Sequence, residues 1–444
     1  MQERVERTPF WMQGNFAPVK EEVTVADLPV EGTIPPGLCG LYVRNGANPA
    51  RGTSSHWFLG DGMVHGVSLK NGKAEWYRNR WVRTPFYEGE PRTLLSALDL
   101  RFSRANTHVI AHANRILALY EASYPMELSR ELETRGFADF GGKLQTPCTA
   151  HPKLCPATGE MHFFGYRVLP PFLTYHVADA SGQLLRSLEI PVKGPSLMHD
   201  FALTPKHAVF LDLPVLFDLP SAIAGAPMPF LWSENYGARL GVLPRAGGTV
   251  RWVDIEPCYV YHVANSFETA DGTIVLDVAK YKEHFRSGAS ADTFDKAVLT
   301  RWTIAPFATK AAEQQLDERT IEMPRIDDRR VGQPHGTVYA LVTGSLAMGG
   351  FTELLKYDLK SGRTDTQDFG GTGIPSEFTM VPAGAGAGED EGWLLGFVYD
   401  RTRDASDLVI FDAQNISGAP LAKIRLPRRV PQGFHGSWIP DSTV

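Results

Sequence analysis

The chain has 444 residues, with 44 Lys and Arg against 50 Asp and Glu, for a formal net charge of −6. Hydrophobic residues make up 43% and aromatics 11%, enough for a sizeable core, and no basic run of five or more occurs. That balance excludes nucleic acid as a partner, because phosphate binding needs clustered Lys and Arg.

In chain order, the N-terminal stretch "MQERVERTPFWMQGNF" is charged and lacks an apolar h-region, so it does not read as a signal peptide. No apolar run reaches the ~18–20 residues needed to span a bilayer. Cys39, Cys148, Cys155 and Cys258 form no C-x-x-C pair and read as buried free thiols of a reducing compartment. The expected location is the cytoplasm.

Short β-rich runs dominate the rest, at 62–83, 162–192, 273–281, 353–369, 392–413 and 420–427. Between them the turns "KNGK", "DASGQ", "ADGT" and "KSGR" are hairpin signals. Helices are expected only at 92–100, 129–137 and 293–302, and "PAGAGAGEDEG" (382–392) reads as an exposed loop. Many short antiparallel strands suggest a propeller or a double sheet, although no clean repeat of ~40–50 residues is visible. Nothing splits the chain, so residues 1–444 read as one domain.

Of thirteen histidines, His56, His65, His112, His162, His176, His207, His284 and His335 sit in polar or turn-like surroundings. Four others share a different setting: His151 in "CTAHPKLC", His199 in "SLMHDFALT", His262 in "CYVYHVANS" and His435 in "PQGFHGSW". Each follows an apolar run near a Pro, Gly or small residue, where a strand ends. Their separations of 48, 63 and 173 residues match no local metal motif. Singly, each reads as a satisfied core histidine. Together they are consistent with strands converging on one axis, and four imidazoles suit Fe, Cu, Zn or Ni. Metal-bound imidazoles usually donate their other N–H to a carboxylate, and Glu121, Glu322 and Glu377 lie in suitably apolar stretches. Asp200, beside His199, should point the other way on a strand and take a structural hydrogen-bonding role.

The chain resembles the carotenoid cleavage oxygenases along nearly its whole length. The matching stretches are "GLYVRNGANP" (40–49), "GDGMVHG" (60–66), "RANTHVI" (104–110), "TAHPKLCPATGEMHFFGY" (149–166) and "LMHDFALT" (197–204). They continue with "YHVANSFE" (261–268), "EMPRID" (322–327), "SEFTMVP" (376–382) and "RVPQGFHGSW" (429–438), in agreeing order and spacing. The resemblance implies an all-β, seven-bladed β-propeller with a few short helices and loops capping the face above an axial metal. It implies one Fe(II) held by His151, His199, His262 and His435. Glu121, Glu322 and Glu377 would then accept from His199, His262 and His435 respectively. Family members use O2 to cleave a conjugated C=C bond into two carbonyl products, without an organic cofactor.

Members resembling lignostilbene and isoeugenol oxygenases carry a lysine just before the first of those glutamates, where this chain has Tyr120. They also tend to have tyrosine in the stretch "RNRWVRT", where Trp81 stands. Both departures favour a carotenoid or apocarotenoid over the alternative, a stilbene or phenylpropene. By the same resemblance Thr107 lies close to an open metal position, and Phe58, Trp81, Tyr120 and Phe267 are candidates for a substrate tunnel. A polyene partitions into membranes, so the broken apolar segment 211–232 is the candidate for peripheral membrane contact.

Overall fold

The computed structural model describes residues 8–90, 99–286, 296–345 and 350–443. Its strands form seven antiparallel blades. The first holds Gly40–Ala47, Gly62–Lys70 and Lys73–Trp81. The second runs from His108–His112 to Thr134–Phe137, the third from Lys153–Leu154 to Leu184–Glu189, and the fourth from Phe201–Leu203 to Arg251–Ile255. The fifth begins at Tyr259–Glu268, the sixth ends at Thr364–Asp368, and both share the 14-residue strand Ala312–Arg325. The early part of that strand pairs with Ala297–Ile304 and its end with Thr337–Thr343. The seventh blade is built on Thr379–Pro382, Gly392–Asp400, Ala405–Asp412 and Ala422–Arg425.

The hairpins follow from their turn residues. In "KNGK", Asn71 and Gly72 both take positive φ, 50° and 76°, and Lys70 pairs with Lys73. Two consecutive left-handed residues make the turn whose twist matches paired strands, and Asn-Gly adopts it most readily. Blades pack face to face, so many strands are buried on both faces. Gly40–Ala47 is buried at all eight positions, which is why alternation is weak in the sequence.

Both ends of the chain close the ring. The C-terminal strand Gly436–Pro440 joins the first blade, with Leu41 opposite Ile439 and Arg44 opposite Gly436. The N-terminal strand Val30–Gly32 joins the last blade, with Val30 opposite Ile424. One apolar cluster crosses this seam, packing Tyr42 and Val67 against Leu395, Leu408 and Ile424.

Two of the three expected helices are strands where described. Residues 129–137 form a turn and then the strand Thr134–Phe137, which pairs with Met126–Leu128. Within 293–302, the stretch from Ala297 belongs to the strand Ala297–Ile304, held in full register against Ile274–Tyr281. Cross-strand pairing in an assembled blade overrides the local helical preference there. The third expected helix, 92–100, lies almost wholly outside the described residues. The loop at 382–392 is as expected, bounded by Pro382 and Gly392. The described α-helices are Pro85–Glu88 and Leu219–Ile223, capped by the Thr84 and Asp218 side chains. No described helix is long and apolar enough to cross a membrane.

Ile439 is fully buried on the closing strand, between the first and second blades. Ile439→Ala is expected to cost about 2–5 kcal/mol. Urea unfolding checks this, as a lowered midpoint at unchanged slope.

Candidate metal centre

Four blades bring one histidine each to the axis. His151 lies in the loop just before the third blade, His199 just before Phe201–Leu203, and His435 just before Gly436–Pro440. His262 is inside Tyr259–Glu268, where the register shifts between Val260 and Val263 and again before Asn265. Such irregularities re-aim a side chain. One nitrogen from each of the four rings lies within 4.8 Å of the others. Nε2 of His151 is 3.0 Å from that of His199, and Nε2 of His262 is 3.1 Å from that of His435.

Three of the rings are held from behind. His199 Nδ1 donates to Glu121 at 2.7 Å, His262 Nδ1 to Glu322 at 2.5 Å, and His435 Nδ1 to Glu377 at 2.9 Å. Each carboxylate thereby assigns the ring proton to Nδ1 and leaves Nε2 as a bare lone pair. The Nε2 atoms of His262 and His435 face each other across the axis; burial alone would lower the pKa of His262, but the Glu322 carboxylate beside it raises it above the usual range. His151 is neutral, because burial pushes its pKa well below the usual range. Converging lone pairs fit a cation placed between them, and the neutral nitrogen donor set suits a transition metal.

The glutamates are themselves fully engaged. Tyr166 Oη donates to the free oxygen of Glu121 at 2.9 Å, and Tyr281 Oη to that of Glu322 at 2.7 Å. Glu322 also accepts from the Met323 amide at 2.7 Å, where Met323 takes a left-handed φ of 53°. Glu377 accepts from the Gly436 amide at 2.8 Å and from Arg325 at 3.2 Å. Burial alone would raise both buried carboxyls. His262 outweighs it at Glu322, and Arg325 with His435 at Glu377, so both lie below the usual carboxylate range.

A fifth histidine, His108, packs 5.3 Å from the His435 ring but is occupied elsewhere. Its Nδ1 is 3.0 Å from the Ala150 carbonyl and its Nε2 3.2 Å from Ser437 Oγ. Of the eight histidines expected in polar or turn-like settings, His56, His65, His112, His162, His176 and His335 are buried. Strand pairing puts polar partners beside some of them, as with His65 and Tyr77 Oη at 2.9 Å or His162 and Tyr175 Oη at 2.6 Å. Asp200 takes the structural hydrogen-bonding role expected of it. It pairs with Lys153 at 2.7 Å and accepts from the amides of Phe201 at 2.7 Å and Val263 at 2.8 Å.

The cluster separates two unlike cavities. On one side, a cavity has His199, His262 and His435 on its floor and mostly apolar walls. Phe58, Thr107 and Tyr120 line it as expected, joined by Trp57, Tyr261 and Phe434, which sequence reasoning missed. Trp81 and Phe267 do not line it. Trp81 packs against Val19, Met63 and Tyr87 and donates to the Asn48 carbonyl at 2.9 Å, while Phe267 packs on His335. Strand position decides this, since neither side chain faces the axis. Past Tyr120 and Met228 the cavity meets an open basin rimmed by Leu169, Phe217 and Phe230. On the far side of the cluster, His151, His262 and His435 face a polar basin with Lys153, Asp200 and Arg325.

Tyr166, Tyr281 and Arg325 were not singled out from the sequence. Arg325 stands three residues after Glu322 in "EMPRID", a charged residue at the end of an apolar run, and that was a usable signal.

The family model described as retinal pigment epithelial membrane protein matches residues 16–440. A carotenoid cleavage oxygenase of Mycobacterium tuberculosis is 38% identical, covering 97% of this chain and 98% of that protein. The crystal structure of a lignostilbene dioxygenase from Pseudomonas brassicacearum superposes with a TM-score of 0.89 at 28% identity, covering 97% and 98% of the two chains. That of a cobalt-substituted apocarotenoid oxygenase from Synechocystis does so with a TM-score of 0.86 at 30% identity, again covering 97% and 98%. Similarity of that identity over that extent shows that the chain belongs to the carotenoid cleavage oxygenase family.

Proposed function

We propose that the protein is a non-haem Fe(II) dioxygenase that cleaves a conjugated C=C bond of a carotenoid or apocarotenoid, using O2 to give two carbonyl products. The observation that carries this reading is the set of four converging imidazole nitrogens beneath a mostly apolar cavity. A polyene offers no hydrogen-bonding groups along its chain, and walls of Trp57, Phe58 and Phe434 match it by shape and apolarity. His151, His199, His262 and His435 are the residues that hold the metal. Bound iron supplies the redox chemistry toward O2 that no side chain here could supply.

The chain's own part is orientation. Glu121, Glu322 and Glu377 fix the tautomer and plane of three rings, and Tyr166, Tyr281 and Arg325 fix the glutamates. Aromatic walls hold the alkene over the floor and exclude bulk water. Tyr120, at the junction of cavity and basin, places an aromatic ring where a phenol-binding member has an ammonium group, which supports a polyene over a hydroxystilbene.

Substrate entry follows from the basin. The segment 211–232 forms the hairpin Val215–Phe217 with Phe230–Trp232, and the helix Leu219–Ile223 stands between the strands. Leu219 is 59% exposed and Ile223 79%, with Leu169 exposed on the same basin's rim. This apolar edge serves peripheral contact with a membrane that dissolves the polyene.

Aerobic incubation of the Fe(II)-loaded protein with apocarotenals, carotenoids and 4-hydroxystilbenes, read by mass spectrometry under 18O2, tests the reaction. Labelled carbonyl fragments from a polyene are expected. Cleavage of the stilbene alone would select the alternative substrate, and unlabelled products would reject the oxygenase reading. His262→Ala is expected to abolish metal binding and turnover while the circular dichroism spectrum is kept. Glu322→Gln is expected to weaken metal affinity by about 10–100-fold, measured by competition with a chelator. Leu219→Ser with Ile223→Ser is expected to lower co-sedimentation with phospholipid vesicles while leaving cleavage of detergent-dispersed substrate intact.

A further inference from the structure

The fixed charges around the four histidines do not cancel. Glu121 accepts from His199 and Tyr166, and Glu322 from His262, Tyr281 and the Met323 amide. Glu377 accepts from His435, the Gly436 amide and Arg325. Every carboxylate oxygen thus faces a donor, an arrangement that favours the ionised form, and the three groups together carry three negative charges. Within the same enclosure the unbalanced cation is Arg325. Its side chain is only 14% exposed, and it bonds both Glu377 and the Gly436 carbonyl, the latter at 3.0 Å. Guanidinium does not deprotonate in proteins, so this positive charge is permanent.

The other nearby groups leave that balance alone. Lys153 and Asp200 form a closed pair at 2.7 Å, and both ring nitrogens of His108 are occupied, by the Ala150 carbonyl and by Ser437 Oγ. Asp328 lies 3.3 Å from the same guanidinium, but it is 64% exposed and water screens it. Three carboxylates and one guanidinium therefore leave two uncompensated negative charges in a region of low polarity, where unbalanced charge is costly.

We infer that Arg325 sets the charge of this enclosure so that a divalent ion neutralises it and a trivalent ion does not, which holds the iron of the proposed centre in its ferrous form. Without the guanidinium, three negative charges would match a trivalent ion instead. Arg325 acts through Glu377 and touches neither the cavity floor nor the space between the rings, so it is a positioning residue for charge. The inference rests on the metal-centre reading given above.

The test is the midpoint potential of the Fe(III)/Fe(II) couple in the full-length, iron-loaded protein, followed by the electron paramagnetic resonance signal of the ferric form. Zn(II) uptake by the metal-free protein is measured in parallel. Arg325→Gln is expected to favour the ferric form at least tenfold, which lowers the potential by about 59 mV for a one-electron couple. Arg325→Lys should keep the potential near that of the unsubstituted protein. Arg325→Gln with Glu377→Gln restores the charge count and should return the potential toward it, which a purely structural role for Arg325 does not predict. An unchanged potential in Arg325→Gln that still binds Zn(II), or a double variant that stays as low as the single, would overturn the inference while leaving the metal centre intact. Should Arg325→Gln not fold, Glu377→Gln decides the matter alone: a raised potential supports the charge count and an unchanged one rejects it. Failure of the unsubstituted protein to take up either Fe(II) or Zn(II) would remove the metal centre and the inference with it.

Discussion

The proton that sits on Nδ1 of His199, His262 and His435 is the constraint on which the rest of the site depends. It sits there because a carboxylate 2.5–2.9 Å away accepts it. Each imidazole then turns its other nitrogen, Nε2, toward the axis. Moving that proton to Nε2 would turn the ligand into a donor and close the site. The tyrosines and the arginine behind the glutamates keep those carboxylates from rotating away, so the tautomer is fixed by a chain of contacts running from within the blades to the axis.

A propeller suits this requirement because it brings distant stretches of chain to one line without long-range loops. His151 and His435 are 284 residues apart in sequence, yet their ring centroids are 4.5 Å apart. His435 reaches the axis only because the strand that follows it, Gly436–Pro440, closes the ring on Gly40–Ala47. Ring closure and completion of the histidine set are therefore one event. Stability at the seam, carried by residues such as Ile439 and the Tyr42 cluster, is also stability of the site.

Much of this was legible in the sequence, and the parts that were not have physical causes. The hairpins at "KNGK" and "KSGR" were visible because turn geometry is local. The four histidines and three glutamates stood out because a polar residue at the end of an apolar run demands a partner. The helices expected at 129–137 and 293–302 failed where described because cross-strand pairing in a blade decides short segments with mixed periodicity. Trp81 and Phe267 were expected in the tunnel because large aromatics suit a polyene. Which way a strand residue faces depends on register, however, and register is set by neighbouring strands far away in sequence. Tyr166 and Tyr281 escaped for the same reason: each gains its meaning only from the glutamate it meets in the assembled propeller.

The arrangement is costly when considered without its ion. Three carboxylates, four imidazoles and a guanidinium are packed within a β-rich core, and two pairs of Nε2 atoms lie only 3.0 and 3.1 Å apart. Charged groups taken from water cost several kcal/mol each unless hydrogen bonds and opposite charge compensate them. The glutamates find hydrogen-bond donors around them but not enough positive charge, and the ring nitrogens converge on one another rather than on a donor side chain. A sequence under selection for stability alone would fill that axis with apolar side chains. Placing it at the floor of an apolar cavity, held by seven packed blades, is what a site built around a cation requires, and consistency everywhere else in the fold is what lets the chain tolerate it.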